Sequence, residues 1–185
     1  MRNTDAATSV VFVVAGPAGS GKTTLGRALA AATGAVVLDQ DLATNPLLAQ
    51  LAVLVGAGDD LDAPSLRGPV RQARYQCLLD LAADNSGLGR DVVMIAPFTV
   101  ECSDAGAWAE LAARFVPAAV RLIWVSVPPD VALARRVERN LPRDRVTAGR
   151  RPLSPLPRPV IEHLMASGSA DPTAEAARIV GLLRP

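Results

Sequence analysis

A chain of 185 residues, half of them apolar and with a net charge of +1, has the size of one domain and can bury roughly 70% of its unfolded surface. No apolar run approaches the ~20 residues of a membrane span. The polar opening Met1–Thr8 reads as a disordered tail without a signal peptide's hydrophobic stretch, so a cytoplasmic protein without membrane contact is expected.

In chain order, the first element is Val10-Val11-Phe12-Val13-Val14, a continuous apolar run suited to a strand buried on both faces. Gly16-Pro17-Ala18-Gly19-Ser20-Gly21-Lys22-Thr23 follows and matches G-x-x-x-x-G-K-S/T, the phosphate-binding P-loop. Lys22 is the only lysine, whereas the other eighteen basic side chains are arginines. The chain therefore keeps one compact ammonium where a point charge must reach a phosphate. A helix predicted over 22–33, stopped by Gly34, completes the strand–loop–helix order and adds its dipole to the anion site. A nucleoside triphosphate is the expected ligand. Backbone amides of Gly16, Ala18, Gly19, Ser20, Gly21, Lys22, Thr23 and Thr24 would cradle it, and the Thr23 hydroxyl would meet Mg²⁺.

Further strands are predicted at 35–39, 91–97, 120–127 and 163–167, and helices at 46–56, 67–86, 104–115, 129–139 and 173–183. Asn45-Pro46 and Asp171-Pro172 read as helix starts, and 56–64 as a polar loop. This alternation predicts an α/β fold of three layers around a five-stranded, mainly parallel sheet, with no linker to mark a second domain. Residues 140–158 read as a lid-like segment, and Pro142–Pro159 carries five prolines and many arginines. Cys77 and Cys102 make no metal or disulfide pattern.

Ligands of such sheets bind outside the carboxyl ends of the strands. The second strand ends there in Leu38-Asp39-Gln40-Asp41. Asp39 at the tip could hold Mg²⁺, and Asp41 could accept the proton of a substrate hydroxyl; a helix cap is the plainer role for either. The third strand lacks the acidic tip of a motor NTPase, so Pro97, Phe98 and Thr99 read as a substrate wall. Arg135 and Arg139 lie one helical turn apart, where guanidinium groups could meet a migrating phosphoryl group. Arg136 fits a solvated face better. Arg71 and Arg74, near the single tyrosine Tyr75, could grip an acceptor. His163 and the two tryptophans read as structural.

The pieces GPAGSGKTT, LDQD, VVMIAPFT, RLIWVSVPPDVALARRVERNLPRD and ADPTAEAARIV together resemble the small P-loop kinases of the gluconate kinase, shikimate kinase and chloramphenicol phosphotransferase type. The likeness is nearest to bacterial AAA family ATPase or zeta-toxin-like kinases of that group. It implies ATP and Mg²⁺ as cofactors, and transfer of the γ-phosphate to a hydroxyl of a sugar, sugar acid, antibiotic or related metabolite. It also implies Asp39 at the metal, Asp41 at the hydroxyl, lid arginines at Arg135 and Arg139, and an adenine-side loop near Ser167–Pro172. Two other functions compete. One is a kinase of nucleotides or polynucleotide ends, against which the aromatic content of 3% speaks. The other is a non-catalytic nucleotide-dependent regulator. The expected assembly is a monomer or a homodimer.

Overall fold

The computed structural model of the protein describes residues 9–61, 63–66, 68–139 and 157–183. The expected tail 1–8 and the lid-like segment, except its last two residues, lie outside them, as does the side chain of Arg139. Five strands, β1 (Val10–Ala15), β2 (Val36–Asp39), β3 (Val92–Ile95), β4 (Ala119–Ser126) and β5 (Leu164–Ser167), form one sheet in the order β2-β3-β1-β4-β5. Every pairing is parallel, with Val13 opposite both Met94 and Leu122. Reversal of strand direction is thus absent among the described residues, a stricter outcome than a mainly parallel sheet.

Alternate side chains leave opposite faces of a strand, and each face here builds its own core. Val11, Val13, Val92, Met94, Leu122 and Trp124 pack under α3 (Pro69–Gly87), α4 (Thr99–Ser103) and α5 (Ala105–Ala113). Phe12, Val14, Val93, Ile95, Ile123 and Val125 meet α1 (Lys22–Thr33) and α7 (Pro172–Leu183) on the other side. These are the three expected layers. Helix α1 comes close enough to β3 that a Cβ on Gly26 would stand 2.5 Å from the Ile95 Cδ1. A third cluster, Leu48, Ala52, Ala63 and Leu66, joins α2 (Gln40–Leu54) to the connection before α3. The polar loop predicted over 56–64 therefore has an apolar underside, and its end runs into a 3₁₀ turn, Pro64–Leu66.

Two boundaries differ from the sequence reading for local reasons. Helix α2 starts at Gln40 and not near Pro46, because the Asp39 carboxylate takes the amides of Asp41 (3.0 Å) and Leu42 (3.3 Å). That cap offsets the backbone bond that Pro46, now inside the helix, cannot make. The helix expected over 104–115 is preceded by a short separate one, since Asp104 is extended and caps α5 through the Ala107 amide (2.8 Å). Helices α1 and α6 (Pro129–Arg139) match their predicted spans, and α7 starts one residue earlier than predicted.

The two cysteines report on this packing. Cys102 is buried, and burial together with the Glu101 charge pushes its thiol up to about 12, whereas Cys77 is exposed. In the native protein one thiol should react promptly with a thiol-specific disulfide reagent at pH 8, and the second only after denaturation. Two prompt reactions would mean that α4 does not seal this side of the sheet.

Candidate functional site

The loop between β1 and α1 is backbone pressed against backbone. Gly16, Gly19 and Gly21 take φ values of 145°, 82° and 94°, which side-chain-bearing residues rarely adopt. A Cβ on Gly19 would also lie 2.5 Å from the Ala132 carbonyl oxygen, and one on Gly16 would overlap the Val125 carbonyl. Helix α1 begins at Lys22 with no side-chain cap on its N-terminus. Its first turn borders a cleft of about 1070 Å³, with Ala18, Gly19, Gly21, Lys22, Thr23 and Thr24 in the wall. A helix N-terminus opening into a cleft is an anion site. The Lys22 ammonium folds back onto the Pro17 carbonyl (2.7 Å), within the same loop it would leave to reach a phosphate. Ser20 is fully buried, and its hydroxyl oxygen has no hydrogen-bond partner among the described residues.

Beside the loop, the Thr23 hydroxyl donates to the Asp39 Oδ2 at 2.9 Å while the other carboxylate oxygen of Asp39 caps α2. The capping role anticipated for one of the two aspartates belongs to Asp39, and it leaves one oxygen facing the loop. No group of three or more acidic, histidine or cysteine side chains gathers among the described residues. A hydroxyl and a single carboxylate oxygen suit Mg²⁺, which keeps much of its water and is completed by phosphate oxygens rather than by a protein cage.

Across the cleft, Arg74 on α3 reaches the start of α2. It pairs with the Asp41 Oδ1 (2.7 Å) and donates to the Thr44 hydroxyl (2.7 Å) and the Asn45 side-chain oxygen (2.8 Å). These bonds tie Arg74 to the aspartate it was expected to accompany as a substrate grip. Sequence reading passed over Thr44 and Asn45 because Asn45-Pro46 reads as a helix start; moving that start to Gln40 puts both one turn from Asp41. Arg71, one turn earlier, donates to the Thr99 hydroxyl (3.1 Å) and lies 5.8 Å from the centre of the Tyr75 ring. The Tyr75 hydroxyl accepts the Phe98 amide (3.1 Å), and burial raises its pKa above the ordinary value. Phe98 has φ 45° and is fully buried, so the β3–α4 corner is a strained turn pinned from α3.

At the glycine-loop end the cleft is bordered by α6 and by the turn after β5. The Arg135 guanidinium donates to the Gly168 carbonyl (2.9 Å) and reaches the Gly19 carbonyl at 3.5 Å. Arg136, expected on a solvated face, also borders the cleft and passes its stem over Gly19. Gly168 packs so tightly that a Cβ would overlap the Ser20 carbonyl oxygen. Behind this turn Glu175 on α7, 7% exposed, accepts the Ser167 amide (2.8 Å) and a two-point bond from Arg178. The Arg178 guanidinium is the larger cause that holds the Glu175 carboxyl below its ordinary value, and the Ser167 amide adds to it. Gly168, Glu175 and Arg178 were not singled out from sequence; an acid at the fourth position of a helix reads simply as a favourable dipole contact. Among the described residues His163 bonds locally, to the Ile161 carbonyl (2.7 Å), and Trp124 is core, as expected.

One cleft therefore holds the loop Gly19–Thr24, Asp39, Asp41, Arg71, Arg74 and Arg135, while Thr99 joins it through Arg71. A family model described as an AAA domain matches residues 11–153. No curated protein matches the chain. Among solved structures, similar folds include a provisionally named kinase from Chloroflexus aurantiacus, 20% identical, with a TM-score of 0.68 over 95% of this chain and 96% of that one. A sugar kinase from a Janibacter species is 17% identical, with a TM-score of 0.62 over 95% and 94% of the two chains. The APS kinase of Mycobacterium tuberculosis, solved with AMPPNP and APS, is also 17% identical, with a TM-score of 0.62 over 95% and 96%. At such identities the likeness is one of fold, and it bears out the resemblance to small P-loop kinases.

The Glu175 pair gives a stability prediction with a definite sign. A carboxyl whose folded pKa is depressed contributes stability that is present above its unfolded value and lost as pH falls through the folded one. Urea unfolding of the wild type and Glu175→Gln should show a gap near neutrality that narrows steadily below the usual carboxylate range. A gap independent of pH would mean that the charge of Glu175 contributes nothing.

Proposed function

The chain belongs to the AAA domain family, and on that premise we propose that it is an ATP-dependent phosphotransferase acting on a hydroxyl of a small molecule. The observation that carries this reading is the shared cleft: the glycine loop and Asp41 both line one cavity of about 1070 Å³, room for a nucleotide and an acceptor together. In this reading the whole chain is one cytoplasmic kinase domain, a monomer or homodimer.

The loop amides of Gly16 and of Ala18 to Thr24 hold the phosphates, and Lys22 leaves the Pro17 carbonyl to bridge the terminal ones. Thr23 and Asp39 would hold Mg²⁺, whose charge offsets that on the β- and γ-oxygens. Asp41 accepts the proton of the acceptor hydroxyl while that oxygen bonds to the γ-phosphorus and the bridge to the β-phosphate breaks. Arg74 fixes Asp41 through their 2.7 Å pair, and Arg71 and Thr99 form the acceptor wall. Arg135 moves from the Gly168 carbonyl onto the migrating group, with Arg139 one turn on as a second donor. The turn Ser167–Pro172 borders the base. The β3 tip continues as Ala96-Pro97, with no acid there to organise a water, which favours transfer to an alcohol over simple hydrolysis. Sugars, sugar acids and antibiotics are the acceptor classes to screen, with mass spectrometry for a phosphate adduct.

Three substitutions test the roles. Lys22→Ala should abolish measurable turnover in a folded protein. Asp41→Asn should lose turnover and keep ATP binding; equal turnover would leave a nucleotide-dependent regulator as the better reading. Arg135→Ala should lower kcat by about 10²-fold or more, and weaken ATP binding less, because its charge acts on the transition state. Unchanged kcat would make α6 a structural support only.

A further inference from the structure

Glu175 is a buried carboxylate that the proposed chemistry does not use. It stands on the first turns of α7, yet its side chain turns back to the end of β5 and accepts the Ser167 amide at 2.8 Å. Arg178 clamps both of its oxygens and, through Nη2, also donates to the Met165 carbonyl (2.7 Å). Two residues of the β5 end, Met165 and Ser167, are thereby held by this pair. On the cleft side, the carbonyl of Gly168 carries Arg135, and a Cβ on Gly168 would run into the Ser20 carbonyl and Val127. The turn continues through Ala170 and Pro172, both in the cleft wall. Asp171 caps α7 through the Ala174 amide (2.8 Å) and closes the far end of the same turn.

A surface ion pair would be worth little, and Arg178 is itself half-exposed, but the Glu175 side chain is 8% exposed and its amide partner is the first residue of the turn. Burying a carboxylate is costly unless each oxygen is bonded. Here Oε1 accepts from both Ser167 and Arg178 and Oε2 from Arg178, so the turn is fixed by a satisfied charge, not by apolar packing alone.

We propose that Glu175, backed by Arg178, is a positioning residue that sets the shape of the Ser167–Pro172 turn for the base of the nucleotide. The inference rests on the reading of the cleft as a nucleotide site. Its consequence is a division of labour. The glycine loop binds the polyphosphate without help from Glu175, whereas the added affinity contributed by base and ribose depends on it.

Calorimetric titrations of the full chain with Mg-ATP and with inorganic tripolyphosphate test this. The wild type should bind both. Glu175→Ala should lose about tenfold in affinity for ATP, the size of one lost charged hydrogen bond, and less than about twofold for tripolyphosphate. Glu175→Gln keeps an acceptor for the Ser167 amide and should recover most of the loss. Should the alanine variant not fold, Arg178→Gln, whose side chain is 45% exposed, carries the test and should give a smaller loss confined to ATP. Equal weakening of both ligands, or no weakening of either, would overturn the positioning role. A wild type that binds neither would instead overturn the nucleotide site itself.

Discussion

Everything in the site depends on how closely the chain can bring backbone to backbone around the loop after β1. Gly16 faces the Val125 carbonyl, Gly19 the Ala132 carbonyl, and the Ser20 carbonyl meets Gly168. Side chains at these glycines would drive β4, α6 or the β5 turn away from the loop. The contacts bring three connections, those following β1, β4 and β5, onto one point at the carboxyl edge of the sheet. Parallel strands make that convergence possible, since each of them delivers its following loop to the same edge.

Polar bonds then join the halves of the cleft. Thr23 to Asp39 ties the glycine loop to β2, and Asp39 in turn starts α2 by capping it. Arg74 ties α2 to α3 through three acceptors grouped around Asp41. Arg135 ties α6 to the β5 turn. Each of these charged groups is partnered in the same state that leaves the cleft open, which restrains them near their working positions. Such pre-organisation lowers the cost of ordering them around a ligand.

Much of this was legible in the sequence because it rests on local rules. Apolar runs of four to six residues marked the strands, and the glycine motif between β1 and α1 marked the loop that lines the cleft. What escaped were consequences of tertiary distance. Asp39 was recognisable as an acid at a strand tip, but only its distance to two amides decides that it caps α2 and that Pro46 lies within that helix. Arg74 was recognisable as a cation on α3, yet its link to Asp41 joins residues 33 positions apart. Glu175 lies in the ADPTAEAARIV piece of the resemblance, but nothing in that piece marks its contact with Ser167, and Gly168 carries no motif; their roles come from a carbonyl and an amide that sequence alone does not bring near.

The central claim is that the loop Gly19–Thr23 receives the terminal phosphates of a nucleotide. A titration of isotope-labelled protein with magnesium and the non-hydrolysable ATP analogue AMPPNP, followed by amide NMR, tests it most directly. The largest shifts should fall on the amides of Gly19, Ser20, Gly21, Lys22 and Thr23, with smaller ones in Ser167–Ala170 where the base would lie. Saturable shifts centred on any other part of the sheet edge, with the loop amides unmoved, would contradict the account.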